Sequence, residues 1–389
     1  MRKDFSKYLD KEGMIELACE LIKKRTVNPP GSEYLTKDIV ISSLKEIGAK
    51  IEIIEKDKTR PNILGYIGEG KPSIAILAHM DVVPPGNGWL NDPFSPRVKE
   101  GKIYGRGAID NKGPYAAGWA GIKAILKSGL PFKGSIILGA VADEERGSKM
   151  GVEYLLERGF SPSFCLIPDS GGIKKAIIGE KGLLQVCFST QGKSAHGSTP
   201  RQGENAIYKM IDFLPFLKRF KFKGEYHPAF DEPTLNLGEI KGGEAPNIVP
   251  DRCETILDIR YPLGMSKENL LKQLQELIKK SGAEVEMRVI SFNYPHLLKE
   301  DDPLISAFRK AGERIKIKMD FGTAGGITVA KNLYFRGISS LSHSPAEENM
   351  AHQANEYVKI DNLLFCAQLW AEVIYELLGE KQKHYLHSS

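Results

Sequence analysis

At 389 residues the chain is long enough for two or three domains, or for one large domain carrying an insert, and it can bury an ample core. Its hydrophobic share of 41% and charged share of 26% are those of an ordinary globular protein, and a net charge of +5 without like-charge runs gives no warrant for a nucleic-acid partner. Five scattered cysteines with no CxxC spacing fit free thiols in a reducing compartment. The first residues lack the apolar core of a secretory signal and no apolar run reaches membrane-spanning length, so a cytoplasmic protein with no membrane partner is expected.

The 11–24 segment carries apolar residues at Met14, Ile15, Leu17, Ala18, Leu21 and Ile22, a helical period that Asn28-Pro29-Pro30-Gly31 breaks. A second amphipathic helix is expected over 34–47, then strands over 50–55 and 62–67. GYIGEGK at 65–71 nearly spells a phosphate loop. Pro72 stands where Ser or Thr is needed, however, and a strand follows, so a turn is expected instead.

The apolar run 74–78 ends in His79-Met80-Asp81. Residues two apart on a strand share a face, so His79 and Asp81 point the same way at the strand's C-terminal end, where sites form in open α/β sheets. A short strand at 102–104 leads through Gly105-Arg106-Gly107-Ala108 to Asp110. A helix over 115–128 stops at Gly129. The strand 135–141 ends in Ala142-Asp143-Glu144-Glu145, a short helix occupies 150–158, and the strand 164–167 ends in Pro168-Asp169. His-x-Asp alone is a weak signal, and one acidic strand end reads as a solvated cap. Three strand ends that each deliver carboxylate or imidazole are poorly explained that way. The βα alternation argues an α/β fold with a largely parallel sheet.

From 182 the pattern changes. A strand at 183–190, a helix at 205–218 that Pro215 is expected to end early, strands at 234–240 and 253–261, a helix at 267–280 and a strand at 283–291 follow. That order is βαββαβ, a ferredoxin-like split unit inserted at 182–293. A helix near 303–315 and a final helix over 361–378 resume the first part, and the polar tail 379–389 is expected to fray.

These segments carry a resemblance. AHMDVVPPGNGW, DPF, IYGRGAIDNKG, ADEE, PDSG, GEKG, SAHGSTPRQGENAI, APNIVPD and AHQANEY run in this order from about residue 78 to 360. They are similar to the two-zinc metallopeptidase family that includes carboxypeptidase G, dipeptidase V, carnosinase, aminoacylase, acetylornithine deacetylase and succinyl-diaminopimelate desuccinylase. The resemblance implies a catalytic metal-binding domain over 1–181 and 294–389, with 182–293 as lid and dimerisation domain, hence a homodimer. It implies two Zn2+ per subunit, with Co2+ or Mn2+ as other occupants of the same ligands. His79 and Asp169 would hold one ion, Glu145 and His352 the other, and Asp110 would bridge them, with a cis peptide after it. Asp81 would orient the His79 ring, as carboxylates commonly do for metal-bound histidines.

Amide hydrolysis needs an activated water, a polarised carbonyl and a proton for the leaving amine, and a metal pair can supply the first two. The resemblance gives the third task to Glu144 as general base. It places His196 of Ser194-Ala195-His196-Gly197 at a neighbouring active site, often the other subunit's, to stabilise the oxyanion. Asn247, Arg260 and Gly326 match substrate-binding positions. Arg260 suits a substrate carboxylate, although a structural salt bridge fits it too. One departure stands out: the family's Gly-Gly-Thr reads Gly325-Gly326-Ile327-Thr328 here. His343 reads as a loop residue, and His227, His296, His384 and His387 read as incidental.

The expected reaction is hydrolysis of a dipeptide or an N-acyl amino acid. Asp169, where many deacylases and carboxypeptidases of the family carry Glu, leans towards dipeptides, and the compact insert leans towards a biosynthetic deacylase. A non-catalytic metal-binding protein on the same fold has no need of Glu144.

Overall fold

The computed structural model describes residues 4–346 and 350–380. In chain order its elements are α1 (Lys11–Ile22), α2 (Lys37–Glu46), β1 (Lys50–Ile54), β2 (Asn62–Glu69), β3 (Ser73–His79), β4 (Arg97–Lys99), β5 (Lys102–Tyr104), α3 (Lys112–Ser128), β6 (Gly134–Val141), α4 (Val152–Glu157), β7 (Phe164–Ile167) and β8 (Lys175–Glu180). Then come β9 (Gly182–Gln191), α5 (Ala206–Lys218), β10 (Thr234–Gly242), β11 (Arg252–Tyr261), α6 (Lys267–Ser281), β12 (Glu286–Asn293) and β13 (His296–Leu297). The last are α7 (Pro303–Arg314), β14 (Asp320–Ala324), α8 (Val329–Tyr334), β15 (Ser339–Ser342), β16 (Tyr357–Lys359) and α9 (Ile360–Leu378). Two compact units emerge from the described residues. One is drawn from Met1–Ile178, Leu298–Gly322 and Thr328–Ser389, the other from Gly179–Leu297 and Thr323–Ile327. His384 and His387 lie outside the described residues.

The sheet of the first unit runs β1-β2-β6-β3-β7-β15-β8. Its centre, β6-β3-β7-β15, is parallel, and β1, β2 and β8 join antiparallel. All seven residues of β3 are buried. Ile74, Ile76 and Ala78 face a core built with α1, α3, α7 and α9, while Ala75 and Leu77 face another built with α4 and α8. A slip of one residue would exchange the two faces, so apolar packing on both sides fixes the register. His79 therefore sits level with Val141 at the ends of β3 and β6. The chain's long helices stay amphipathic or buried, and none among the described residues is long and apolar enough to cross a membrane.

Helix α3 begins at Lys112, three residues before its expected start. Pro114 falls in the first turn, where its missing N–H leaves no helical bond unmade. A side chain at Gly121 would meet the carbonyl oxygen of Ala367 at 2.6 Å, so bare backbone is what lets α3 lie against α9. Pro215 does not stop α5, which continues to Lys218. Leu217 is buried just beyond it and anchors the last turn.

His343, expected as a loop residue, is fully buried behind β15. Trp370 Nε1 donates to its Nδ1 at 3.0 Å, so the ring proton sits on Nε2, which donates to the carbonyl of Ile173 at 3.0 Å. Burial lowers the imidazole pKa to about 4, with the Ile173 carbonyl opposing. An unfolded histidine titrates near 6.5. Between those values the unfolded chain binds the extra proton, so the stability this histidine contributes is complete above about 6.5 and is lost as pH falls towards 4. Urea midpoints of wild type and His343→Gln between pH 7 and 4.5 check this. The wild-type profile should fall more steeply towards acid, and parallel profiles would contradict it.

The second unit is an antiparallel sheet in the order β10-β11-β9-β12. Alternate residues Leu184, Val186 and Phe188 of β9 and Leu257 and Ile259 of β11 face α5 and α6, meeting Met210, Phe213, Leu270 and Leu274 in one core. His296 is buried in this unit, its Nδ1 4.0 Å from Glu180 Oε2.

Candidate metal centre

Three strand ends of the first unit deliver the centre. His79 closes β3. After β6, Asp143 takes a left-handed φ of 64° and turns the chain into a single 3-10 turn, Glu144–Arg146. Asp169 follows β7 by two residues. Asp110 arrives on the glycine-rich loop and is joined to Asn111 by a cis peptide. Asn111 Nδ2 donates to the carbonyl of Pro168 at 3.0 Å, which ties the Asp110 loop to the Asp169 loop. His352, with a φ of 67°, comes from the segment before β16.

These side chains meet. His79 Nε2 lies 2.8 Å from Asp110 Oδ1, and His352 Nε2 lies 3.2 Å from both Asp110 Oδ2 and Glu145 Oε2. Among the described residues, ligand atoms of His79, Glu144 and Asp169 fall within 4.8 Å of one another, as do those of His79, Asp110 and Glu145. Asp110 thus stands between the two imidazoles with one oxygen towards each.

The charges are unbalanced. Burial, followed by repulsion from Asp169, pushes the Glu144 carboxyl well above its usual range. Burial opposes ionisation of His79, yet the Asp110 and Asp81 carboxylates outweigh it and hold the imidazole well above its ordinary pKa. Hydrogen bonds to Asp110 and Glu145 raise His352 to about 10. Asp110 is buried too, and the two imidazoles overcome that and hold it below the usual carboxylate range. Four carboxylates crowded on two imidazoles form a donor set of oxygen and nitrogen with excess negative charge. Divalent cations such as zinc fit that set, and they would relieve the repulsion that Glu144 feels.

Asp81 acts at two places. Its backbone carbonyl accepts from His79 Nδ1 at 2.9 Å, while its carboxylate lies 3.5 Å from that nitrogen. The carboxylate accepts instead from the Glu144 and Glu145 N–H groups, at 3.1 and 3.2 Å, and from Asn28 Nδ2 at 2.8 Å. Asn28 also donates to Asp143, and Arg60 pairs with both Asp143 and Glu33. Glu33 accepts the N–H of Asp143 in turn. A buried polar web therefore holds the Glu144–Glu145 turn from behind. Asn28, Glu33 and Arg60 carry no sequence signal for that role, because an asparagine in a Pro-Gly breaker reads as a turn and isolated charges read as surface.

The other expected residues belong to the second unit. His196 is exposed, and its segment bridges to Ile248 beside Asn247, with the Gly197 N–H donating to the Asn247 carbonyl at 2.7 Å. Arg260 grips Asp258 through Nε and Nη2 and reaches the Gly325 carbonyl through Nη1, so it is tied to the loop that carries Gly326. At the departing position, Thr328 is buried and its hydroxyl caps α8 by accepting from the Ala330 N–H, with Ser342 Oγ beside it.

A parallel sheet whose strand ends gather carboxylates and imidazoles into a candidate cation-binding set is the arrangement expected of a metal-dependent hydrolase, and the family match gives that class. The chain belongs to peptidase family M20/M25/M40, whose profile matches residues 75–376. It is 30% identical to an uncharacterized metallohydrolase of Methanocaldococcus jannaschii, over 94% of this chain and 99% of that one. It is 29% identical to succinyl-diaminopimelate desuccinylase of Rickettsia rickettsii, over 92% of this chain and 98% of that one. A tripeptidase structure from Staphylococcus aureus shares the fold, with a TM-score of 0.77 at 20% identity over 94% of this chain and 98% of that one.

Proposed function

We propose that the protein hydrolyses the amide bond of a small substrate with a free carboxylate, a dipeptide first and an N-acyl amino acid second, using two divalent metal ions per subunit. The carrying observation is a pair of adjoining clusters, His79 with Glu144 and Asp169, and His79 with Asp110 and Glu145, with His352 against Asp110 and Glu145. Asp110 would be the shared ligand, His79 and Asp169 would hold one ion, and Glu145 and His352 would hold the other. Zinc suits the set, and cobalt or manganese suits it too. Two bound ions supply a nucleophilic water at neutral pH and polarise the scissile carbonyl.

Glu144 takes the proton that the attacking water gives up and hands it to the leaving nitrogen as the C–N bond breaks. Bound cations would offset the burial and the Asp169 repulsion that raise its proton affinity in the metal-free protein, leaving the carboxylate free to accept that proton. His196 steadies the oxyanion. Its Nδ1 accepts from the Ser198 N–H at 3.1 Å, which leaves the ring proton on Nε2 as a donor. Arg260 takes the substrate carboxylate, and Asn247 and the backbone of Gly326 position the rest. The protein works in the cytoplasm as a homodimer joined through the second unit. Supporting this, β10 is an edge strand exposing Leu237 and Ile240, and α5 exposes Tyr208 and Ile211.

A deacylase of the succinyl-diaminopimelate desuccinylase type is the second reading, favoured by the Rickettsia relative. A panel of dipeptides, N-acetyl-ornithine, N-acetyl-lysine and N-succinyl-diaminopimelate decides between them, with zinc, cobalt or manganese added and a chelator as control. Dipeptides should be cut fastest. Chelation should remove activity and added zinc restore it. Negligible hydrolysis of every substrate by metal-loaded protein would overturn both readings.

A further inference from the structure

Glu356 is completely buried, and its carboxylate is used on both oxygens. Oε1 accepts the backbone N–H groups of Gly107, Ile109 and Asp110 at 3.0, 2.9 and 3.3 Å. Oε2 accepts Arg106 Nη1 at 2.7 Å. Arg106, 1% exposed, donates through Nη2 to the backbone carbonyls of Pro85 and His352, both at 3.3 Å, and lies over the Trp89 ring. One buried ion pair thus holds the amide of Asp110 at one end and the carbonyl of His352 at the other.

Burying two charges is costly, and a buried pair seldom adds stability over apolar residues of the same volume. What this pair does that apolar residues cannot is fix two backbone segments that carry ligands. Asp110 and His352 are also the residues whose side chains face each other at 3.2 Å. We infer that Arg106 and Glu356 are positioning residues that set the spacing of Asp110 and His352, and so tune the ion held by Glu145 and His352 more than the ion held by His79 and Asp169. The inference rests on the two-metal reading above.

Neither residue reaches the cluster's centre with its own side chain, so each acts through backbone. Glu356→Gln keeps the shape but turns an amide N–H2 or a bare oxygen towards groups that need a carboxylate. Arg106→Lys keeps the charge but gives up the fork that reaches Glu356 and His352 together.

Cobalt titration of metal-free protein, followed by visible absorption, tests the inference. Wild type should take up two equivalents. In E356Q the second should weaken about 10–100-fold and show an altered spectrum, with the first, which shares Asp110, weakened less. Its kcat should drop with KM nearly constant. R106K should show the same pattern more mildly, and it carries the test should E356Q not fold. Two equivalents in wild type, bound unchanged by a folded variant, would overturn the inference alone, as would equal weakening of both ions. Wild type that takes up no second equivalent would fail the two-metal reading and this inference with it.

Discussion

Glu144→Gln should lower kcat by about 10²–10⁴-fold while the purified protein keeps its metal. The carboxamide has the same shape but cannot accept water's proton and release it again. The structure adds a second expectation. Burial and the neighbouring Asp169 hold the Glu144 carboxyl well above its usual pKa, so the folded, metal-free protein keeps that proton to higher pH than the unfolded chain does. A carboxyl with a raised pKa costs stability as pH rises above its unfolded value. The neutral variant escapes that cost, so metal-free E144Q should unfold at a higher urea concentration than wild type at pH 7, although it is inactive. Metal content, kcat and the urea midpoint together decide the residue's role. Loss of one metal equivalent would make Glu144 a ligand, a real alternative because its oxygen lies in one group with His79 and Asp169. Near-normal turnover would place the proton carrier elsewhere.

The strand ends that build the centre were legible because hydrophobicity and chemistry change at the same residue. SIAILAH is apolar up to its histidine, and the run 135–141 is apolar up to Ala142-Asp143-Glu144-Glu145. The split order β9-α5-β10-β11-α6-β12 was legible for a similar reason, since β9, β11 and β12 alternate and α5 and α6 each bury one apolar face. Strand β15 was not. It reads Ser-Ser-Leu-Ser, yet Ser340 and Ser342 are buried, with the Ser340 hydroxyl donating to the Ala330 carbonyl and Ser342 meeting Thr328. Hydroxyls satisfied inside the fold make a core strand look like a loop. Arg106 and Glu356 sat inside quoted motifs without a role, because charge in a sequence reads as solvent exposure and only coordinates reveal a pair that closes on itself.

Asp81→Ala separates two jobs that a sequence comparison merges into one. The resemblance assigns the Asp81 carboxylate to the His79 ring. In the structure the ring nitrogen is 2.9 Å from the Asp81 backbone carbonyl, which alanine keeps, and 3.5 Å from the carboxylate. What alanine removes is the acceptor for the Glu144 N–H, the Glu145 N–H and Asn28 Nδ2, at a position with no solvent exposure. Asn28 keeps Asp143, but each of the two turn N–H groups left without a partner costs about 1–3 kcal/mol, so metal-free D81A should lose about 2 kcal/mol or more of stability. The turn it releases carries Glu145, a proposed ligand of the second ion, and Glu144, the proposed base. Zinc competition against a chelator should therefore show the ion shared with His352 weakened about 10–100-fold, with kcat falling too. The ion held by His79 should be the less affected. If the carboxylate's main task were to orient the imidazole, the order would reverse: the His79 ion would weaken first and the metal-free protein would unfold at nearly the wild-type urea concentration. The two metal affinities, measured on one variant, distinguish a residue that aims a ligand from one that holds the turn behind it.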